Sequence, residues 1–133
     1  MGADIRFHGV AQKPGKPMLF ALLKGKPVFA LPGNPRAVMV LFWEYVLPFL
    51  RAMQGDPEPG PRVDRLPLAA GVRCKGDRTE FRAVRIAGGL AHPLSDEGSH
   101  MLRSLTAADG LMVLNPGDRE LRPGELVDVH LRP

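Results

Sequence analysis

The first part of the chain alternates between apolar strand-like runs and polar turns. Residues 4–12 alternate roughly between apolar and polar positions, which predicts a strand. KPGKP follows at 13–17, and its Pro-Gly core predicts a type II turn. Two further apolar runs lie on either side of residues 24–26, Lys-Gly-Lys, and this arrangement predicts a β-hairpin.

A long apolar helix is predicted from Pro35 to about Met53. Asn34 is a favoured N-cap, and Pro35 suits the first helical position because its missing N–H would be unpaired there anyway. Apolar residues cover most of the circumference, so the helix needs cover on more than one side. The few preceding strands cannot supply all of it, which indicates the tail end of a larger α/β layer. Pro48 predicts a kink or an early end of the helix.

The pattern changes after a polar stretch rich in proline and glycine, GDPEPGPR at 55–62, which is the best linker candidate. Short β-like runs separated by turn residues then favour a small barrel or sandwich. Apolar positions at helical spacing between them predict about two helical turns near residues 99–109. We therefore predict an α/β segment at 1–55, a linker at 56–62 and an all-β domain at 63–133 that is a small barrel or a sandwich.

Composition narrows the class of protein. The chain has 133 residues, of which 44% are hydrophobic and 24% charged, enough for one domain or two small ones. Its net charge of +4 suits anionic ligands but is too small to indicate nucleic acid. Cys74 is the only cysteine, which excludes an internal disulfide and a thiolate metal cluster. The sequence shows neither a secretory signal nor a membrane span, so we expect a cytoplasmic protein without a membrane partner.

Two turns are candidates for anion binding. KPGKP places Lys13 and Lys16 at the two ends of a four-residue turn, where both ammonium groups can converge on one oxyanion. LPGNP at 31–35 ends a strand and opens a helix, where free N–H groups and the positive end of the dipole favour an anion. The alternatives are a solvated basic turn and a purely architectural connection. The residues alone favour those alternatives.

The other candidates are weaker. Ser99-His100 has no acid placed to orient a triad, and the acidic residues of the second half lack metal-ligand spacing. Arg82 belongs to a set of strand arginines that Glu80 interrupts, which is typical of an exposed face. Residue types and spacing therefore predict no catalytic residue and no metal ligand.

The two motifs together carry a resemblance. KPGKP, followed about fifteen residues later by LPGNP and an apolar helix, closely resembles the molybdopterin molybdenumtransferase (MoeA-type) family, which includes the E domain of gephyrin. EGSHMLRSLTAADGLMVL at 97–114 and LRPGELVDVHL at 121–131 are similar to the C-terminal segment of that family. The resemblance covers nearly the whole chain. It implies the end of a three-layer molybdopterin-binding α/β domain, followed by the C-terminal β-barrel domain.

The resemblance also implies an activity and a site. The family inserts molybdate into adenylylated molybdopterin in a magnesium-dependent step that releases AMP, in a cleft completed across a homodimer. Lys13 and Lys16 match the basic pair expected to hold molybdate or the phosphate of the cofactor. Pro32, Gly33, Asn34 and Pro35 match the turn beside that site, and Ser99 matches a serine of the barrel that faces the cleft. These segments would bind molybdopterin.

Two departures from the family limit that expectation. The family usually has an arginine two positions after the phenylalanine of its Glu-Phe strand, where this chain has Ala83, and Arg82 lies one position early. One residue of shift points a strand side chain to the other face unless a bulge corrects it. The glycine-rich phosphate loop and the acids expected to bind Mg²⁺ have no counterpart here. We therefore expect a catalytically incomplete chain that associates with a second copy or with the missing upstream domains.

A second class of function is a non-catalytic barrel that docks nucleic acid or a protein. One Trp, one Tyr and 6% aromatic residues leave few stacking platforms, which argues against nucleic acid. A third possibility is that the first segment stays partly unfolded or is exchanged between chains, because its helix lacks partners.

Overall fold

The chain forms two compact units, Met1–Pro59 and Gly60–Pro133, called here the first and the second unit. The computed structural model describes residues 2–95 and 101–133. In this described part of the chain, no helix is long and apolar enough to span a membrane.

The first unit contains a three-stranded antiparallel sheet in the order β1-β3-β4. Leu23 pairs with Lys26, and the two residues between them have positive φ angles, 52° at Lys24 and 75° at Gly25. This is the two-residue turn whose twist matches that of the flanking strands, so the predicted hairpin is confirmed. The strands of this unit are β1 (Asp4–His8), β2 (Gln12–Lys13), β3 (Leu19–Leu23) and β4 (Lys26–Ala30).

A loop that includes KPGKP connects β1 to β3. Two backbone hydrogen bonds close it, from Gly9 N–H to Met18 O at 2.7 Å and from Val10 N–H to Lys16 O at 2.8 Å. Inside the loop, the Met18 N–H donates to Gly15 O at 3.3 Å, and Gly15 has a φ of +104°. The hydrogen-bonded turn thus begins at Gly15, two positions later than the type II turn predicted from the sequence.

The predicted helix is present over its whole length and contains one wider turn. It consists of α1 (Pro35–Leu41), a π-helical segment (Phe42–Val46) and α2 (Leu47–Met53). The Leu47 N–H donates to Phe42 O, five residues back. Pro48 has no N–H, and in a regular helix its ring clashes with the carbonyl four residues earlier, so a wider turn accommodates it. The helix therefore continues to Met53 and does not end early at Pro48.

The second unit is built mainly of antiparallel strands. Five of them are paired in the order β8-β7-β9-β11-β5, and β6 pairs separately with β10. The β-like runs of the sequence, at 65–74, 79–87, 90–94, 110–115 and 125–132, lie on these strands, and the first of them covers both β5 and β6. The sequence pattern did not indicate β10. The elements are β5 (Val63–Pro67), β6 (Val72–Cys74), β7 (Thr79–Ala87), β8 (Leu90–Pro93), α3 (Met101–Ala107), β9 (Gly110–Leu114), β10 (Arg119–Leu121) and β11 (Leu126–Leu131).

These strands enclose one apolar core. A parallel bridge between Leu68 and Ala91, with the Ala69 N–H donating to Ala91 O at 2.9 Å, links the end of β5 to β8. These are the two ends of the strand path, but one bridge is not a ladder, and closure into a barrel stays a prediction. The buried core residues are Leu68, Val72, Cys74, Val84, Ala91, Met112, Leu114, Val127 and Val129.

Candidate functional site

The LPGNP turn ends in a well-formed helix cap. Asn34 has extended backbone angles, and its Oδ1 accepts hydrogen bonds from the N–H groups of Arg36 at 2.9 Å and Ala37 at 3.4 Å. Its backbone oxygen accepts from the Val38 N–H at 3.0 Å. The N-cap prediction is therefore confirmed. The cap also occupies two of the amides that could otherwise face an anion.

The KPGKP loop lies directly against the helix that LPGNP opens. A Cβ built on Gly15 would come within 2.8 Å of the Cγ and Cδ2 atoms of Leu41, a distance that real Cβ contacts do not reach. The positive φ of Gly15 disfavours any other residue as well. This close approach places the KPGKP loop against Leu41, on the helix that LPGNP opens.

A hydrogen-bonded path fixes the same loop to the π-helical segment. The Tyr45 hydroxyl donates to Gln12 Oε1, and Gln12 Nε2 donates to Pro14 O at 2.8 Å. Gln12 is only 2% exposed, so its amide makes these bonds where water does not compete well. Burial, and then the negative charge of Glu44, raise the pKa of the Tyr45 hydroxyl above its usual range.

Cationic side chains surround the loop and the helix start. Lys13 and Lys16 are exposed on the loop itself, as expected for groups that meet a ligand from solvent. Arg36, two residues beyond the N-cap, is only 7% exposed. Sequence reasoning did not single out Arg36, because a charged residue on a helix usually marks the solvated face. The roles of Lys13 and Lys16 stay predictions.

An aromatic cluster anchors the helix on the sheet. The ring centroids of Phe20 and Phe29 are 4.9 Å apart, and those of Phe29 and Phe49 are 5.3 Å apart, both within the range of favourable ring contacts. This packing fixes the helix that in turn contacts the KPGKP loop. A cavity of about 180 Å³ opens beside the cluster, lined by Phe7, Met18, Phe20, Phe29, Tyr45 and Phe49.

Arg82 is engaged on its own strand. Its Nε and Nη2 donate to Glu80 Oε1 at 3.1 and 2.9 Å, and its Nη2 also donates to Arg73 O at 3.3 Å. The pairing of β7 with β9 runs without a shift from Glu80 to Val84, so no bulge in this ladder moves Arg82 to the face of Ala83. Ala83 itself is only 2% exposed. Arg82 therefore lies on the face that also carries Val84 of the core.

Two further expectations concern Ser99 and magnesium. Ser99 lies outside the described residues, so its place in the site stays a prediction. Among residues 2–95 and 101–133, no group of three or more His, Cys, Asp or Glu side chains is arranged to hold a metal ion. The described part of the chain therefore does not fit Mg²⁺, and no step is assigned to that ion here.

The second unit has a polar cleft of its own, between β6 and β10. It has a volume of about 230 Å³ and combines basic and acidic groups. Arg73 forms an exposed ion pair with Glu120 at 3.5 Å, and the Asp118 Oδ1 accepts from the Gly76 N–H at 2.9 Å. The lining residues are Arg73, Cys74, Lys75, Asp118, Arg119 and Glu120.

Comparison with protein families matches both parts of the chain. Residues 65–131 match the family model "MoeA C-terminal region (domain IV)", and residues 1–52 match "Probable molybdopterin binding domain". The first match alone spans half of the chain. The chain therefore belongs to the MoeA family and corresponds to its C-terminal part.

Individual relatives agree with this assignment. Molybdopterin molybdenumtransferase 2 of Mycobacterium tuberculosis is 29% identical over 127 residues, which are 94% of this chain and 31% of the relative. Molybdopterin molybdenumtransferase of Staphylococcus aureus is 28% identical over 133 residues, or 97% and 32% of the two chains. The chain thus spans about a third of the length of these curated relatives.

Solved structures of the family have the same fold. The molybdopterin biosynthesis MoeA protein of Pyrococcus horikoshii is 34% identical with a TM-score of 0.79, covering 96% of this chain and 32% of that one. A molybdenum cofactor biosynthesis protein of Pyrococcus furiosus is 28% identical with a TM-score of 0.82, covering 98% and 46%.

Proposed function

We propose that this chain supplies the oxyanion-binding part of a molybdopterin molybdenumtransferase. The parent reaction inserts molybdate into adenylylated molybdopterin and releases AMP. Lys13 and Lys16 hold molybdate or the phosphate of the cofactor, and residues 32–35 line the molybdopterin beside them. Ser99, which the resemblance assigns to a cleft completed across a dimer, is part of the same proposal. The acids for Mg²⁺ and the glycine-rich loop come from upstream domains on another polypeptide, so the isolated chain is catalytically incomplete.

One observation carries this proposal: the KPGKP loop is packed on the helix that LPGNP opens. A Cβ on Gly15 would come within 2.8 Å of the Leu41 side chain, and Gln12 joins the loop to Tyr45. A basic loop fixed on a rigid element is what binding a small dianion needs, because two ammonium groups then meet the ligand without a large ordering cost. A merely solvated basic turn would not need that anchoring.

The domain organisation is part of the same proposal. Residues 1–55 form the end of the molybdopterin-binding domain, residues 56–62 the linker, and residues 63–133 a closed β-barrel. The Leu68–Ala91 bridge supports closure, because it joins the two ends of the strand path. Association into a homodimer, or with the upstream domains, would complete the cleft.

Molybdate binding to the full chain tests the site. We expect molybdate to shift the NMR signals of residues 13–16, and Lys13→Ala or Lys16→Ala to weaken binding about tenfold or more, the usual scale for a lost charged hydrogen bond. Lys24→Ala and Lys26→Ala are matched controls, since Lys24 lies in the β3–β4 turn of the same unit and Lys26 begins β4. Equal losses in all four variants would indicate nonspecific attraction and contradict the proposal.

The alternative, a barrel that docks nucleic acid, finds no support in the second unit. Its sequence contains a single aromatic residue of the Phe, Trp and Tyr type, Phe81, which is 7% exposed. Bases therefore have no exposed ring of that type to stack on in this unit. Trp43 and Tyr45 both belong to the first unit.

A further inference from the structure

The Gln12 side chain ties the loop that bears the two lysines to the helix. Gln12 is the residue directly before Lys13, and its amide is used at both ends. Its Oε1 accepts from the Tyr45 hydroxyl, while its Nε2 donates to Pro14 O at 2.8 Å. The carbonyl it contacts lies between the two lysines in sequence.

We propose that Gln12 and Tyr45 are positioning residues for the oxyanion site. Their hydrogen bonds hold the peptide between Lys13 and Lys16 in a fixed position relative to the helix. This inference rests on the proposed function, because it assigns these residues to the same site. Neither side chain contacts the ligand. They act by fixing the Pro14 carbonyl, and with it the directions in which the two lysines leave the loop.

Space filling alone does not explain why Gln12 occupies this buried position. Gln12 is 2% exposed, so a polar amide is retained where an apolar residue would avoid the cost of burying polar atoms. Both of its polar ends have a partner on the helix or the loop. Tyr45 lies in the π-helical segment, and π-helical turns inside α-helices occur frequently at functional sites.

The path also explains how a glycine-containing loop keeps one geometry. Gly15 gives the backbone of the loop conformational freedom, which would blur the geometry of a rigid binding site. Packing on Leu41 restricts this freedom from one side, and the Gln12 amide restricts it from the preceding residue. Removal of the Tyr45 hydroxyl should therefore loosen the loop without removing the helix that supports it.

Tyr45→Phe in the full chain is the direct test, with two readouts. By NMR without ligand, we expect the amide signals of Gly15 and Lys16 to move and the Gln12 side-chain amide protons to exchange faster with water. By molybdate titration, we expect affinity to fall about two- to tenfold, the usual scale for one neutral hydrogen bond. Phe49→Leu is the matched control, because Phe49 packs in the same helix–sheet cluster and lines the same cavity. It should lower stability and leave the loop signals in place.

A double-mutant cycle measures whether Gln12 and Tyr45 act together on molybdate affinity. Two residues that only fill space independently would show no such coupling. Gln12→Met removes both hydrogen bonds at similar length, so Tyr45→Phe should have no further effect on molybdate affinity in that background. Additive losses would overturn the proposed path. Unchanged loop signals in Tyr45→Phe would overturn it too, as would moved signals with unchanged affinity.

Failure of the proposed function gives a different pattern. If the wild-type chain binds no molybdate, or if Lys13→Ala and Lys16→Ala bind it as well as wild type, the oxyanion site is wrong. The ligand-free NMR comparison of Tyr45→Phe with Phe49→Leu then still decides whether Gln12 and Tyr45 fix the loop.

Discussion

The two units of this chain are stabilised in different ways. In the second unit, antiparallel strands enclose an apolar core in which Val84, Met112 and Val129 have no exposed surface. In the first unit, much of the apolar surface remains in contact with water. Its large exposed apolar side chains among the described residues are Ile5, Phe7, Val28, Phe42, Leu50 and Met53. The first unit also buries apolar side chains, since Met18, Val40 and Leu41 have no exposed surface. Among the described residues the second unit exposes only three large apolar side chains, Val63, Leu102 and Leu126. Local contacts such as caps, turns and the close glycine–helix approach therefore contribute relatively more to the first unit.

The KPGKP loop, to which we assign the proposed oxyanion site, belongs to the unit with more exposed apolar side chains, where individual contacts determine its geometry. The following substitutions test how each unit is stabilised. Trp43 fluorescence reports on the first unit alone, because the second unit contains no tryptophan.

The largest expected effect comes from a matched pair of methionines. Met112 is 0% exposed in the second unit, and Met53 is 65% exposed in the first. Met112→Ala should lower the free energy of unfolding by about 2–5 kcal/mol, because it removes apolar contacts and leaves a cavity. Met53→Ala should change it by less than about 0.5 kcal/mol. Denaturant unfolding followed by circular dichroism measures both, and similar losses would contradict the comparison.

The next effect concerns two ion pairs inside the second unit. Glu80 and Arg82 are 11% and 20% exposed at their side chains, while Arg73 and Glu120 are about three-quarters exposed. Glu80→Gln should cost about 1.5–3 kcal/mol, the scale of a charged hydrogen bond shielded from water. Glu120→Gln should cost about 0–1 kcal/mol, since water screens the exposed pair. A larger loss for Glu120→Gln in denaturant unfolding would show that burial does not govern these pairs.

Two glycines test the close approach in the first unit. Gly15 and Gly25 both have positive φ, but only Gly15 has Leu41 atoms within 2.8 Å of a would-be Cβ. Gly25→Ala carries backbone strain alone, of order 1 kcal/mol, whereas Gly15→Ala adds a steric clash of about 1–2 kcal/mol. Unfolding followed by Trp43 fluorescence should separate the two variants. Equal midpoints would mean that the loop moves away from the helix at little cost.

The helix cap gives a smaller effect of the same kind. Asn34→Ala removes the acceptor for the Arg36 and Ala37 amides and should cost about 1 kcal/mol in the first unit. Asn34→Asp keeps an acceptor at the same place and should recover most of that loss. If Asn34→Asp is as unstable as Asn34→Ala by Trp43 fluorescence, capping is not the source of the effect.

The smallest effect is a pH dependence. The pKa of Tyr45 is raised by burial and by Glu44, so the folded state holds the phenol proton to higher pH than the unfolded state does. This contribution to stability is complete below the ordinary tyrosine pKa of about 10 and is lost as pH rises beyond it. Tyr45→Phe should remove that alkaline loss from the unfolding curve of the first unit. An identical alkaline decline in Tyr45→Phe would assign it to another group.

Local sequence chemistry predicted much of the fold. The Lys24-Gly25 turn and the Asn34-Pro35 helix start were predictable because turn and cap preferences act within a few residues. The wider turn before Pro48 was not, since the sequence shows that an N–H is missing but not how the backbone compensates. Strand β10 was missed because three residues are too few to show alternation.

The site was predictable only in part. KPGKP and LPGNP are conspicuous as motifs, and Lys13 and Lys16 follow from them. The contact between Gln12 and Tyr45 joins residues 33 positions apart, and no local pattern encodes such a pair. For Arg82, the sequence alone already raised the question of which face of the strand it occupies. The uninterrupted β7–β9 ladder answers it, and Arg82 pairs with Glu80.

The central claim is that the KPGKP loop binds an oxyanion. The most direct test is a crystal structure of the full chain with tungstate, a heavier analogue of molybdate that anomalous diffraction locates without ambiguity. We expect tungstate within hydrogen-bond distance of the Lys13 and Lys16 Nζ atoms. Tungstate bound instead in the cleft of Arg73, Lys75 and Arg119, with the loop empty at the same concentration, would contradict it.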